Sequence, residues 1–268
     1  MRNLNEKQYK NSTNFNARIY LHQKFGTNKY LWPLWIFDNI DKVNNARVLE
    51  LGCGNGLLWR INASRIPENW EITLSDFSEG MLKDAKKSIG NDIENIQYKV
   101  INAENIPYED NTFDIVIANH MLYHVPDRQK AISEIYRILK RSGKFYATTA
   151  GKDSMKEIRE LIMQYHSISI PVNSSNSLFE NFSIENGERQ LQEYFEEISS
   201  KIYPNLLKVT EANPLVDYVI SINDLIPGLT VLNENQRLKF TKFIQDKIDK
   251  AQFIKISSDF GIFICKKI

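Results

Sequence analysis

The chain has 268 residues, with 34 lysines and arginines against 33 aspartates and glutamates, and is long enough to bury a full core as one large domain or a domain with additions. A balance this close to neutral gives no electrostatic case for a nucleic-acid partner. Cys53 and Cys265 match no metal-ligand spacing and read as free thiols; with no apolar leader at Arg2–Lys7 and no apolar run able to cross a bilayer, a soluble, cytoplasmic protein without a membrane partner is expected.

Residues 1–45 are crowded with aromatics, among them Tyr9, Phe15, Tyr20, Phe25, Trp32, Trp35 and Phe37. Arg18, Ile19, Leu21, His22 and Phe25 fall on a predicted helix, and Pro33 opens a second one leading to Asp38. Two readings compete here. Helices packed on a sheet account best for Trp35 and Phe37; a lid over a bound cofactor would turn Arg18, Tyr20 and His22 toward the site.

Val48-Leu49-Glu50-Leu51 reads as a buried strand that runs into Gly52-Cys53-Gly54-Asn55-Gly56, after which Leu57, Leu58 and Ile61 fall at helical spacing. Strand, glycine turn and helix form a cofactor-binding turn at the carboxyl edge of a parallel sheet, since glycine lacks the Cβ that keeps a ligand from backbone N–H groups. A dinucleotide site would need a small residue where Leu57 stands. The second predicted strand, Trp70–Ser75, stops at Asp76, and Ser78 caps a helix through Met81, Leu82, Ala85 and Ile89. An acid at this point is placed to accept hydrogen bonds from both hydroxyls of a cofactor ribose; the plainer reading is a second cap or a solvated turn acid.

Strand three, Ile96–Ile101, ends in Asn102-Ala103, and strand four, Phe113–Ala118, is apolar enough to be buried on both faces before it delivers Asn119–Asp127. Ile132, Ile135, Ile138 and Leu139 mark an amphipathic helix ended by Ser142-Gly143, followed by strand five at Lys144–Thr149. Strand and helix thus alternate from residue 46 to 150, the pattern of a parallel sheet covered on both faces. Beyond it come a helix at Met155–Ile162, a polar excursion over Ser167–Asn186 centred on Ser174–Ser177, a helix at Gly187–Phe195, a strand at Ile198–Tyr203, helices at 214–222 and 234–249, and a closing strand at Phe260–Cys265.

Glu50-x-Gly52-x-Gly54-x-Gly56, Asp76, Asn102-Ala103 and the Asn119–Asp127 segment, in this order, resemble the motif set of class I S-adenosylmethionine (SAM) methyltransferases, nearest the small-molecule group that includes the ubiquinone/menaquinone C-methyltransferases. The resemblance implies an α/β, Rossmann-like, seven-stranded and mostly parallel sheet with an antiparallel last strand. It implies an N-terminal helical lid at 1–45, a SAM-binding core at 46–150, a substrate cap at 151–200, and strands and helices completing the sheet at 201–268. It implies SAM as cofactor and S-adenosylhomocysteine (SAH) as product. The turn at Gly52, Cys53, Gly54 and Gly56 would wrap the amino-acid end of SAM, with Glu50 orienting the turn and the amino group. Asp76 would take the ribose, and Phe77 and Met81 would flank the adenine. Asn102 stands where the family has Asp; its amide oxygen can still accept from the adenine amine, with less charge assistance, while Ala103 offers its backbone N–H. Asn119 would lie beside the methionine part, and Tyr123 near the acceptor.

The reaction implied is an SN2 displacement, in which holding a nucleophile in line with the S–CH₃ bond is the main task. A base is needed only where the acceptor must lose a proton, and His120 and His124 are the candidates, four apart and on one face of any helical turn. The plainer reading of His124, which precedes Val125-Pro126-Asp127, is a hydrogen bond across the turn. The hydrolytic zinc motif would need Glu where Met121 stands, so no metal is expected. Arg18 would pair with the SAM carboxylate or remain solvated. The expected function is methylation of a small-molecule acceptor; methylation of RNA or protein, and a non-catalytic SAM-binding role, are the alternatives. No motif specifies an oligomeric state.

Overall fold

Neighbouring residues of a strand point to opposite faces, and in the first strand Val48 enters one core cluster while Leu49 enters another. A sheet apolar on both sides must be covered on both, and the alternating helices do this. The computed structural model describes residues 10–166, 178–222 and 234–268. Its strands are β1 (Arg47–Leu51), β2 (Glu71–Asp76), β3 (Ile96–Val100), β4 (Phe113–Asn119), β5 (Leu139–Ala150), β6 (Glu197–Tyr203), β7 (Leu206–Val209), β8 (Ile254–Ser257) and β9 (Phe260–Lys266). The main sheet has seven strands in the order β3-β2-β1-β4-β5-β9-β6, with β9 antiparallel to both of its neighbours and the β1–β5 pairings parallel. This is the Rossmann-like arrangement the motifs imply.

The helices are α1 (Thr13–Phe25), α2 (Trp32–Asn39), α3 (Leu57–Asn62), α4 (Glu79–Ile89), α5 (Arg128–Ile138), α6 (Lys156–His166), α7 (Gly187–Leu191), α8 (Ala212–Ser221) and α9 (Glu234–Ala251). Phe37, Trp59 and Ile89 carry α2, α3 and α4 onto one face of the sheet; Ile132, Ile135 and Leu191 carry α5 and α7 onto the other. Ser78 caps α4 as expected, its Oγ accepting the Met81 N–H at 3.2 Å.

A further cluster was not foreseen. Leu21 and Phe25 of α1 pack with Leu215 and Val219 of α8, Phe240 and Ile244 of α9, Leu207 and Ile256. Here β7 and β8 pair with each other rather than with the main sheet. The N-terminal helix therefore shares a core with chain some two hundred residues away.

Ser142-Gly143 does not end α5. That helix stops at Ile138, and Leu139 is already paired with Phe113 in the sheet. The polar pair sits at a register shift within β5, with Ser142 at φ +65°, its N–H donated to the Lys267 carbonyl at 2.8 Å. Strand pairing satisfies several backbone groups at once and overrides a local turn preference. Tyr9, Arg2–Lys7 and Ser174–Ser177 lie outside the described residues. Bordering the last of these, Phe182 is fully buried against Phe263, their ring centroids 5.9 Å apart. Among the described residues no helix is long and apolar enough to cross a membrane.

Candidate active site

The order β3-β2-β1-β4-β5 reverses between β1 and β4, and a crevice at the carboxyl ends of the strands forms where it does. There the structure has a cavity of about 800 Å³, ample for a cofactor and a second small molecule. Glu50, Gly52, Cys53, Gly54, Asp76, Phe77, Met81, Asn102, Ala103 and Asn119 all line it. So do Arg18, His22, His120, Tyr123 and His124.

Two expected residues do not. Gly56 has φ +74°, and a Cβ there would meet Ile89 Cδ1 at 2.8 Å and Ala85 Cβ at 3.3 Å. It is glycine so that α4 can pack beneath the turn, and it does not border the cavity. Tyr20 is 50% exposed, with the Lys24 ammonium 5.5 Å from its ring centre. Arg18 and His22 are four apart and share a helix face; Tyr20, two residues from each, falls on the other side.

Gly52 and Gly54 do border the cavity, at φ +71° and +57°. A Cβ at Gly52 would stand 2.8 Å from Met121 Cβ, so only glycine lets these segments approach. The turn amides, however, are largely committed. Cys53 N–H donates to the Ser75 carbonyl at 2.8 Å and Gly54 N–H to Asp76 Oδ2 at 3.0 Å, while Ser78 N–H donates to Asp76 Oδ1 at 2.9 Å. The glycine turn thus braces the Asp76 carboxylate, which also accepts from the Phe77 N–H, and its four lone-pair positions exceed these three backbone donors.

Glu50 is fully buried, accepting from Trp59 Nε1 at 2.5 Å and from Asn119. Burial pushes its carboxyl up to about 7, and desolvation raises Asp76 as well. Asn119 is fixed in turn by the Thr148 hydroxyl, whose oxygen accepts the His120 N–H at 3.0 Å. Asn102 Oδ1 accepts the Glu104 N–H at 3.0 Å, an Asx turn that leaves one acceptor position on that oxygen.

His120 and His124 are not on one helical turn. His120 has φ +51°, and only Leu122–His124 form a short 3-10 turn. Burial lowers both imidazoles to about 3 and His22 to about 4, so all three are neutral near pH 7. Arg18 lies against the end of α8, its Nη2 donating to the Ser221 carbonyl at 3.1 Å and its Nε to Ser221 Oγ at 3.3 Å.

Several residues of the site carried no legible signal. In the wall, Tyr203, Tyr218 and Phe260 come from the last third of the chain; outside it, Trp59 secures Glu50 from nine positions downstream and Thr148 arrives from β5 to hold Asn119. Of these, only a buried indole N–H, which must find a partner, could have flagged Trp59.

Residues 49–147 match a family model described as a methyltransferase domain. Over 148 residues the chain is 33% identical to the ubiquinone/menaquinone biosynthesis C-methyltransferase UbiE of Rickettsia akari, an alignment covering 53% of this chain and 60% of that protein. With UbiE of Pectobacterium atrosepticum the identity is 30% over 143 residues, 53% of this chain and 57% of that one. The chain spans about three-fifths of the length of these curated relatives. Among solved structures, a SAM-dependent methyltransferase of Thermotoga maritima, titled a possible histamine N-methyltransferase, superposes with a TM-score of 0.56 at 18% identity over 98% of this chain and 100% of that one. Phosphoethanolamine N-methyltransferase 2 of Haemonchus contortus, in complex with SAM, gives 0.56 at 20% identity over 98% of this chain and 59% of that one. At these identities the likeness is one of fold.

Proposed function

We propose that the chain, whose residues 49–147 match a methyltransferase domain, is a SAM-dependent methyltransferase that transfers a methyl group from SAM to a small-molecule acceptor bound in the same cavity. What carries the reading is the pairing, in one cavity, of a fully buried carboxylate, Glu50, and a half-buried one, Asp76, with an aromatic, histidine-bearing wall. A buried carboxylate is costly unless a ligand satisfies it, and a cationic, hydroxyl-bearing nucleoside suits both. SAM supplies a methyl group already activated on a sulfonium. Asp76 accepts from the ribose where its backbone donors leave room. Glu50, steadied by Trp59 and Asn119, accepts the ammonium. Phe77 and Met81 flank the adenine, the remaining acceptor position of Asn102 takes its amine, and Ala103 N–H meets the ring. Gly52, Cys53 and Gly54 let the amino-acid end approach closely.

The rest of the cavity wall excludes water and sets the acceptor's angle, the factor that matters most in such a displacement. For an acceptor that must lose a proton, His120 or His124 takes it. Both are neutral, the form that accepts a proton, and their low basicity recovers as negative charge develops on the acceptor beside them.

The test is calorimetric titration with SAM and SAH, followed by transfer of tritiated methyl from SAM into fractionated metabolites. Micromolar binding and a labelled small molecule are expected. No heat with either nucleoside rejects the reading.

Glu50 sets the pH dependence of binding. Its carboxylate form must be present to meet an ammonium, so SAM affinity is expected to fall as the pH drops below about 7, approaching roughly tenfold per pH unit once the free protein's Glu50 is protonated. Stability of the ligand-free protein runs the other way. A carboxyl raised from 4.5 to about 7 by folding contributes stability that is full below pH 4.5 and lost as pH rises through 7. Glu50→Gln should flatten both trends, as read by calorimetry and thermal melts from about pH 4.5 to about pH 8, which spans the shift. An affinity independent of pH in the native protein would remove Glu50 from the ammonium site.

A further inference from the structure

The hydrogen bonds behind Glu50 have a fixed direction. A backbone N–H can only donate, and that of His120 donates to Thr148 Oγ1 at 3.0 Å and to the Thr148 carbonyl at 3.3 Å. With an acceptor site of the hydroxyl filled in this way, its single proton is directed to Asn119 Oδ1. Because Oδ1 is engaged, the Asn119 amide presents its N–H to Glu50. A group that cannot reverse thus sets the sense of a chain that ends on the carboxylate. Threonine is the link that both accepts and donates.

Thr148 is fully buried in β5, paired with Asn119 of β4 on one side and Ile262 of β9 on the other. It does not border the cavity, so it serves the wall from behind. Its strand neighbours Phe145, Tyr146, Ala147 and Ala150 are buried as well. Valine, equally branched at Cβ, would suit such a strand without burying a polar group. The hydroxyl is therefore justified only by the bonds it makes. Resting on the methyltransferase reading above, we infer that Thr148 is a positioning residue for donor binding: through Asn119 it keeps a hydrogen-bond donor on Glu50, and so keeps Glu50 in the form and place that meet the ammonium of the bound nucleoside.

Removing the hydroxyl frees the amide to turn over. Its oxygen would then face the carboxylate, and two electronegative groups in contact away from water raise the proton affinity of Glu50. The balance at Glu50 is close enough for this to matter. Burial and Asp76 favour its protonated form, while Trp59 and Asn119 oppose them. Around it, β2 brings Asp76, the glycine turn brings the Cys53 thiol, and β4 leads into His120, which burial keeps neutral. Across the cavity α1 brings Arg18 and His22. All of these are common to the native protein and a Thr148 variant, so a difference between the two reports the hydroxyl.

The test is calorimetric titration of SAH into the native protein, Thr148→Val, Thr148→Ser and Thr148→Ala from about pH 6 to about pH 9, with thermal melts beside it. Valine keeps the volume and loses the hydroxyl; serine keeps the hydroxyl and loses the methyl. Thr148→Val is expected to bind SAH about fivefold more weakly than the native protein at about pH 7 and within about twofold of it at about pH 9, its profile moved up by about one pH unit. Thr148→Ser should keep the native profile. Should Thr148→Val not fold, Thr148→Ala and Thr148→Ser differ by the hydroxyl alone, and the alanine variant should show the moved profile. A packing role predicts the reverse order, with valine native-like and serine weakened at every pH. That order, a native profile in the variants lacking the hydroxyl, or no pH dependence in any of the proteins overturns the inference and leaves the methyltransferase reading intact. Failure of SAH to bind the native protein overturns both.

Discussion

Asp76→Ala is expected to weaken SAH binding by about 10- to 100-fold, or about 1.4–2.7 kcal/mol, because buried hydroxyls lose a charged acceptor. The carboxylate is braced by Gly54 N–H at 3.0 Å and Ser78 N–H at 2.9 Å, so the loss has two sources. The ligand loses an acceptor, and the turns after β1 and β2 lose the group that ties them together. Asp76→Asn separates these contributions: it retains one acceptor oxygen of the same shape but swaps the other for a donor pointed at a backbone N–H. The asparagine variant should therefore bind SAH weakly too, despite its near-isosteric side chain. Calorimetry with SAH reads both, and thermal melts show how much of the effect is folding. Affinity within twofold of the native value in Asp76→Ala would remove Asp76 from the site.

Gly56→Ala should produce the largest loss of stability, about 2–5 kcal/mol, with little change in SAH affinity among molecules that fold. Left-handed backbone at φ +74° costs an alanine about 1–2 kcal/mol. Forcing a methyl to within 2.8 Å of Ile89 Cδ1 adds about 1–3 kcal/mol of overpacking. In a chain of this size that corresponds to a melting temperature lower by roughly 4–9 °C. Ile89→Val removes the clashing methyl, so the double variant should recover the packing part of the loss but not the backbone part. Were Gly56→Ala to melt like the native protein yet fail to bind SAH, Gly56 would belong to the cavity after all.

Tyr20 and Gly56 show how far pattern alone carries. Three glycines at alternate positions look equivalent along the sequence, yet Gly52 and Gly54 border the cavity while Gly56 has turned under the start of α3 against Ile89. Arg18, Tyr20 and His22 look equally available, but helix geometry sends Tyr20 to solvent. The Ser142-Gly143 pair looks like a helix end because its chemistry is local, whereas the partners that draw Leu139 into the sheet, Phe113 and the chain near Lys267, are remote.

From sequence alone came the alternation of strand and helix up to Thr149 and the glycine turn, because each depends on short-range periodicity or glycine chemistry, while the antiparallel last strand came from the resemblance the motifs carry. Tertiary structure alone decided that the turn amides serve Asp76, that Trp59 and Thr148 hold Glu50 and Asn119, and that α1 shares a core with α8 and α9. It also brought Trp32, Tyr203 and Phe260 together around His120. The physical reason is one of range: backbone conformation responds to neighbours in the chain, but the aromatic wall around His120 is assembled from segments more than a hundred residues apart, and burial rather than local pattern sets which side chains meet there.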